Sequence, residues 1–306
     1  MTQPTTTTYT NTLAYALECD QADPMKGFRE QFHHPTNTDG ERLIYLCGNS
    51  LGLQPKLAAK YVQQELDDWA QLGVEGHTDA RNPWMPYHEF LTENMAKMVG
   101  ALPEEVVIMN GLTANLHFML ISFYRPTSKR YKIIIEKDAF PSDKYAVESQ
   151  LRFHGYNPKD GLLLWSPPEG SELCRMDDLH ELLAEQGETV ALILLGNTNY
   201  YSGQFYPIQE ITDLGHDHGC VVGFDLAHGV GNIMPDLHNA GPDFAVWCTY
   251  KYLNSGPEVW EESLFTSGTA GISICRDSRD GGDMIKRPDS ICGRSSVHLP
   301  ELRDGN

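Results

Sequence analysis

The sequence predicts an α/β domain wound around a mostly parallel sheet. Two observations carry that expectation. From about residue 106 to residue 249, short apolar runs alternate with stretches of helical period. That is the pattern of strands joined by crossover helices. The apolar runs also end in small, polar or charged residues, and ligands in such sheets sit beyond the carboxyl ends of the strands. The 306 residues, 41% of them hydrophobic, suffice for one large domain or two.

Taken in order, residues 1–10 read as a Thr-rich, frayed lead. "LIYLCGNSLGLQPK" (43–56) reads as an extended stretch and a Gly-rich turn, with Pro55 placed to start a helix. Ala58, Val62, Leu66 and Trp69 continue at helical spacing until Gly73. "HEFLTENMAKMVGA" repeats the pattern with Phe90, Leu91, Met95 and Met98. The strands expected next are 106–109, 132–136, 162–165, 190–196, 220–227 and, as the last, 244–249. The helices between them are expected at 113–124, 142–155, 176–187 and 208–219.

Composition removes several function classes. A net charge of −19 repels phosphates and works against a polynucleotide partner. The seven cysteines form no CxxC pair and read as reduced thiols of an intracellular protein. The N-terminus lacks a basic segment followed by an apolar core, and "VALILLG" is too short to cross a bilayer. The expectation is a soluble, cytoplasmic protein with no membrane partner.

The strand ends carry the chemistry. Lys251 follows the run 244–249; a lone lysine is most often a solvated one. Asp225 closes "CVVGFD", and an acid there is either a cap or a buried functional charge. His228 follows three residues later, yet "DLAH" completes no metal-ligand spacing. "HDHG" (216–219) reads as the solvated end of a helix, so no metal site is expected. A buried aspartate and a lysine at neighbouring strand ends suit pyridoxal phosphate. The lysine amine forms the Schiff base, and the aspartate holds the protonated ring nitrogen. The phosphate then needs backbone N–H groups at a helix start. "NGLTANLH" supplies such a joint, with Gly111 for the turn and Thr113 as cap. "AFPSDKY" is the same joint one unit later, with Phe140 free to stack and Ser142 and Asp143 as caps. A nicotinamide site is the weaker reading, because no strand is followed by GxGxxG and "HGVGN" fails the pattern.

The strings "YLCGNSLGLQPK", "MNGLTANLH", "AFPSDKYAVESQ", "GFDLAHGVGN" and "YKYLNSG", in that order from Leu43 to Gly256, resemble the kynureninase family. The resemblance implies the large domain of the aspartate-aminotransferase fold (fold type I), pyridoxal 5'-phosphate as cofactor, and a homodimer with sites at the subunit interface. The implied reaction hydrolyses L-kynurenine or 3-hydroxy-L-kynurenine to anthranilate or 3-hydroxyanthranilate plus L-alanine, a step of tryptophan catabolism and NAD biosynthesis. By the same resemblance Lys251 anchors the cofactor and then moves protons, with Tyr250 as a second acid–base candidate that also contacts the phosphate. Asp225 holds the ring nitrogen beside His228, Leu112 and Thr113 line the phosphate end, and Phe140, Pro141, Ser142 and Asp143 form the stacking wall. Ser50 and His77 match positions facing the substrate's aromatic ring. One position departs: after "VALILL" stand Gly196, Asn197 and Thr198, where some relatives carry a serine.

The resemblance stops at Gly256, where the family continues with a glycine-rich run and a second domain. The chain divides accordingly into an N-terminal segment (1–42), an incomplete cofactor-binding large domain (43–256) and an aberrant, disordered tail (257–306) with no convincing period. Read one base earlier with suitable codons, Glu-Val-Trp-Glu-Glu becomes Gly-Gly-Val-Gly-Gly. The same shift yields "FAGWWGHDQETRFDM" and "GAPGWQ" farther on, both similar to what the family has there. The expectation is that one base was lost beside the Pro257 codon and that the small domain is missing. Two readings stay open: a kynureninase, and a non-catalytic product that retains at most cofactor binding or dimerisation.

Overall fold

The computed structural model describes residues 9–257 and the backbone of residues 270–273. Residues 1–8 of the expected lead, and the expected tail apart from Pro257 and 270–273, lie outside the described residues. Everything described belongs to the unit Met1–Arg276; the other unit, Asp277–Asn306, lies outside.

The chain begins with α1 (Leu13–Ala22), which the sequence reading did not place and which buries none of its residues. Next come α2 (Ala58–Leu72), the single turn α3 (Gly76–Asp79) and α4 (Thr92–Val99). Then β1 (Val106–Met109) leads to α5 (Leu112–Phe123), and β2 (Lys132–Glu136) to α6 (Pro141–Phe153). The turn α7 (Pro158–Gly161) leads into β3 (Leu162–Trp165), followed by α8 (Met176–Gln186), β4 (Val190–Gly196) and α9 (Ile208–Asp217). β5 (Val221–Asp225), the turn α10 (Leu237–Ala240), β6 (Phe244–Cys248) and β7 (Ala270–Ser273) complete the described elements.

The sheet runs β1-β7-β6-β5-β4-β2-β3. β7 is antiparallel to both neighbours, β1 and β6, and the remaining pairs are parallel. Strand 244–248 is therefore not the last; β7 lies within the stretch expected to be a disordered tail, and it pairs with β1 and β6. Within β4, alternate residues serve opposite faces. Ile193 and Leu195 pack with α8 and α9 through Leu179, Leu183 and Ile211. Leu192 and Leu194 pack with α5 and α6 through Leu116, Leu120, Val147 and Leu151. Cover on both faces is why these strands read as continuous apolar runs. Gly223 is required on β5 because the Phe244 ring occupies the space of a Cβ.

Four local expectations are corrected. Pro55 does not start α2; it pairs with Phe32, and the helix begins at Ala58. Thr113 is not the cap of α5, since Gly111 holds that position and Leu112 opens the helix. Ser142 and Asp143 lie inside the first turn of α6, behind Pro141, a residue whose fixed φ and missing N–H suit a first helical position. His216 is not on a solvated face: its Nε2 lies 2.9 Å from Asp243 Oδ2, which also accepts the Val222 N–H.

Candidate active site

The registers Gly196↔Asp225 and Asp225↔Val246 bring the carboxyl ends of β4, β5 and β6 to one level. There, with the ends of β2 and the starts of α5 and α6, they enclose a cavity of about 210 Å³. Leu112, Thr113, Phe140, Ser142, Asp143, Asp225, His228, Tyr250 and Lys251 all line it. Pro141 sits between two lining residues without lining the cavity itself. Ser50 and His77 do not line it and are exposed.

Lys251 is only 7% exposed. Its Nζ lies 3.1 Å from His228 Nε2, and 5.8 Å and 5.6 Å from the ring centroids of Phe140 and Tyr250. It makes no ion pair among the described residues, an expensive arrangement for a buried cation. Burial first, and then the Lys251 charge, push the His228 imidazole down to about 4. The ring is thus neutral at pH 7, and Nε2 accepts from the Lys251 Nζ–H.

Behind the lysine lies a carboxyl pair. Asp225 Oδ1 accepts the Ala227 N–H at 2.7 Å, and the Asp143 and Asp225 carboxyls hydrogen-bond to one another. Two carboxyls bond only if one carries a proton. Burial, reinforced by the Asp225 charge, holds Asp143 well above the usual carboxylate range. Asp143 is therefore the donor. Burial raises Asp225 too, opposed by the bonds from Asp143 and Ala227 and by the Lys251 charge.

Glu136, at the end of β2, also lines the cavity and was missed in the sequence. Its Oε1 accepts from Asn199 Nδ2 at 3.0 Å, while its buried Oε2 has no partner among the described residues. Burial pushes it up to about 7; the bonds from Asn199 and the Gly196 N–H oppose this. The signal was available, since "KIIIE" ends in an acid just as "VVGFD" does. Thr198 and Tyr200 line the cavity as well, so a hydroxyl stands near the position where the sequence departs from its relatives.

The segments bearing Ser50 and His77 are held by specific contacts. Gly52 N–H donates to Tyr250 O at 2.8 Å, which lays the 47–52 turn against the loop of Lys251. A side chain at Gly52 would meet the Lys251 carbonyl and the Asn254 side chain. His77 stands edge-on to Trp84 at 5.5 Å, and Trp84 Nε1 donates to Glu65 of α2 at 3.0 Å.

Residues 44–258 match the family described as Aminotransferase class-V. The kynureninase of Myxococcus xanthus is 54% identical over 244 residues, 80% of this chain and 57% of that protein. The human kynureninase is 45% identical over 252 residues, 79% of this chain and 54% of that one. The chain thus spans little more than half the length of the curated relatives it matches. Among solved structures, the apo cysteine desulfurase of Thermococcus onnurineus superposes with a TM-score of 0.59 at 15% identity, covering 85% of this chain and 56% of that one. A cysteine desulfurase of Escherichia coli gives 0.61 at 19% identity, covering 81% and 57%. At such identities the likeness speaks for the fold alone.

Proposed function

The chain belongs to the aminotransferase class-V family, and we propose that it carries the cofactor-binding part of a kynureninase. The whole protein would hydrolyse L-kynurenine or 3-hydroxy-L-kynurenine to anthranilate or 3-hydroxyanthranilate and L-alanine, with pyridoxal phosphate as cofactor. The observation that carries the reading is a buried Lys251 within hydrogen-bond reach of a neutral His228, in a cavity that the buried Asp225 also lines.

The residues fit the cofactor. Lys251 supplies the amine that anchors its aldehyde. Asp225 supplies a buried charge for the ring nitrogen, and the proton on Asp143 steadies that charge against its own desolvation. Phe140, 48% exposed, offers an open ring face. The first N–H groups of α5, with Leu112 and Thr113, suit the phosphate, and Tyr250 adds a hydroxyl. Pyridoxal phosphate, when bound, supplies a protonated ring that withdraws electrons from the substrate's α-carbon. Lys251 then holds or releases a proton at Nζ, and His228 Nε2 accepts from that nitrogen and fixes its direction.

We assign Ser50 and His77 to the substrate's aromatic end and place the protein in the cytoplasm as a homodimer. Ile44 at 88%, Leu46 at 85% and Val74 at 72% exposure support an apolar contact near those segments. No helix among the described residues is long and apolar enough to cross a membrane.

The division into 1–42, 43–256 and 257–306, with a lost base beside the Pro257 codon, belongs to the same reading. The family match ends at residue 258, which supports it. Sequencing the genomic DNA tests this point: a verified codon set without the shifted glycines sinks it. Turnover is tested by anthranilate release from L-kynurenine by the purified chain. Release at a family-like rate supports a kynureninase in full; cofactor uptake without release supports the binding-only product.

A further inference from the structure

One buried group near Lys251 has no role in the reading above. Glu136 ends β2 at 5% exposure, directly after the buried apolar Ile133, Ile134 and Ile135. Such a carboxyl is costly to bury, so its bonds show what it holds. Oε1 receives Asn199 Nδ2 at 3.0 Å. Asn199 Oδ1 in turn accepts the N–H groups of Tyr201 and Ser202, at 3.0 and 2.9 Å, and the Ser202 hydroxyl at 3.2 Å. The backbone of Asn199 closes the same loop, bonding Gln204 O and receiving Gly203 N–H, each at 2.9 Å. The residue between these anchors is Tyr200, whose ring stands edge-on to Phe140 at 5.5 Å and 6.3 Å from His228. The loop is otherwise exposed at its tip, with Tyr201 79% open. A single buried side chain therefore ties the strand end of β2 to the loop that follows β4.

We propose that Glu136 is a positioning residue of this site: through Asn199 it fixes the loop 197–204, and so sets Thr198 and Tyr200 along the wall of the Lys251 cavity. The proposal rests on the cofactor reading only for its consequence, not for the anchoring itself. Asp225 on β5, Asp143 on α6 and Asp138 on the loop after β2 are the acids around Glu136; Tyr206 and Cys174 complete its surroundings.

The test compares Glu136→Leu with Glu136→Gln in the full chain. Gln keeps an oxygen for Asn199 and for the Gly196 N–H; Leu fills the space and offers none. Amide exchange without cofactor should show Tyr201 and Ser202 about tenfold less protected in Glu136→Leu and within about threefold of the parent in Glu136→Gln. Ile193 and Leu194, in β4, serve as unchanged controls. Should the Leu variant fail to fold, Glu136→Met removes the same acceptor with a more adaptable side chain. Protection in the Leu or Met variant equal to that in the Gln variant overturns the proposal. Pyridoxal phosphate titration forms the second arm. Glu136→Leu should bind about tenfold more weakly than Glu136→Gln. If the parent chain takes up no cofactor at all, the functional reading fails while the exchange arm still decides the role of Glu136.

Discussion

The Nζ of Lys251 lies 3.1 Å from the Nε2 of His228, and both side chains face one cavity with Asp225 behind them. Because burial and the Lys251 charge push His228 down to about 4, the imidazole accepts rather than donates. An unfolded chain protonates this histidine near pH 6.5 and the folded one only near 4. Its contribution to stability is therefore present above pH 6.5 and lost as the pH falls through 4. His228→Asn should lose less stability than the parent over that interval, by roughly 1–2 kcal/mol once screening by the open side of the cavity is allowed for. Urea midpoints at several pH values measure it; parallel curves for the two proteins contradict it.

Glu136 has the opposite slope. Its folded value of about 7 stands above the ordinary 4.5. The stability it lends is complete below pH 4.5 and lost as the pH rises through 7. Glu136→Gln cannot ionise, so it should gain on the parent by about 3 kcal/mol between pH 4.5 and pH 8. The same urea series reads this, and a difference that does not change with pH rules it out.

The two aspartates should respond unequally to the same change. Asp143 already carries a proton and donates it to Asp225, so Asp143→Asn keeps shape, charge and donor. Its stability should stay within about 1 kcal/mol of the parent and its pyridoxal phosphate affinity within about threefold. Asp225→Asn removes the buried charge itself, and its affinity should fall by at least about tenfold. Equal losses in a cofactor titration would remove the assignment of the proton to Asp143.

Gly52→Ala tests the joint between the 47–52 turn and the loop of Lys251. A Cβ there meets the Lys251 carbonyl and the Asn254 side chain. The change should cost about 1–3 kcal/mol and lengthen the Gly52–Tyr250 hydrogen bond, with weaker cofactor binding as the readout. A variant as stable and as tight as the parent shows that the turn is not held there.

How much of this was legible in the sequence depends on where each residue's partners lie. Asp225 and Lys251 stand out because a charge ends an apolar run, which local reading detects. Glu136 gives the same signal, and only its partner Asn199, 63 residues away, reveals its use. The starts of α5 and α6 each lie one residue before the expected ones, because Thr113, Ser142 and Asp143 are good cap types while the chain enters at Leu112 and Pro141. β7 carried no local signal strong enough to place it. Its pairing is set by the gap between β1 and β6, a tertiary demand that overrides weak strand propensity. α1 leaves no mark in the sequence pattern, because it buries no side chain and so needs no apolar face.

The central claim is that Lys251 is the amine that takes the cofactor. The direct measurement is borohydride reduction of the full chain after incubation with pyridoxal phosphate, followed by peptide mass mapping. The account predicts one pyridoxyl group, on the peptide containing Lys251, absent in Lys251→Ala. Labelling scattered over exposed lysines, or unchanged labelling in Lys251→Ala, contradicts it.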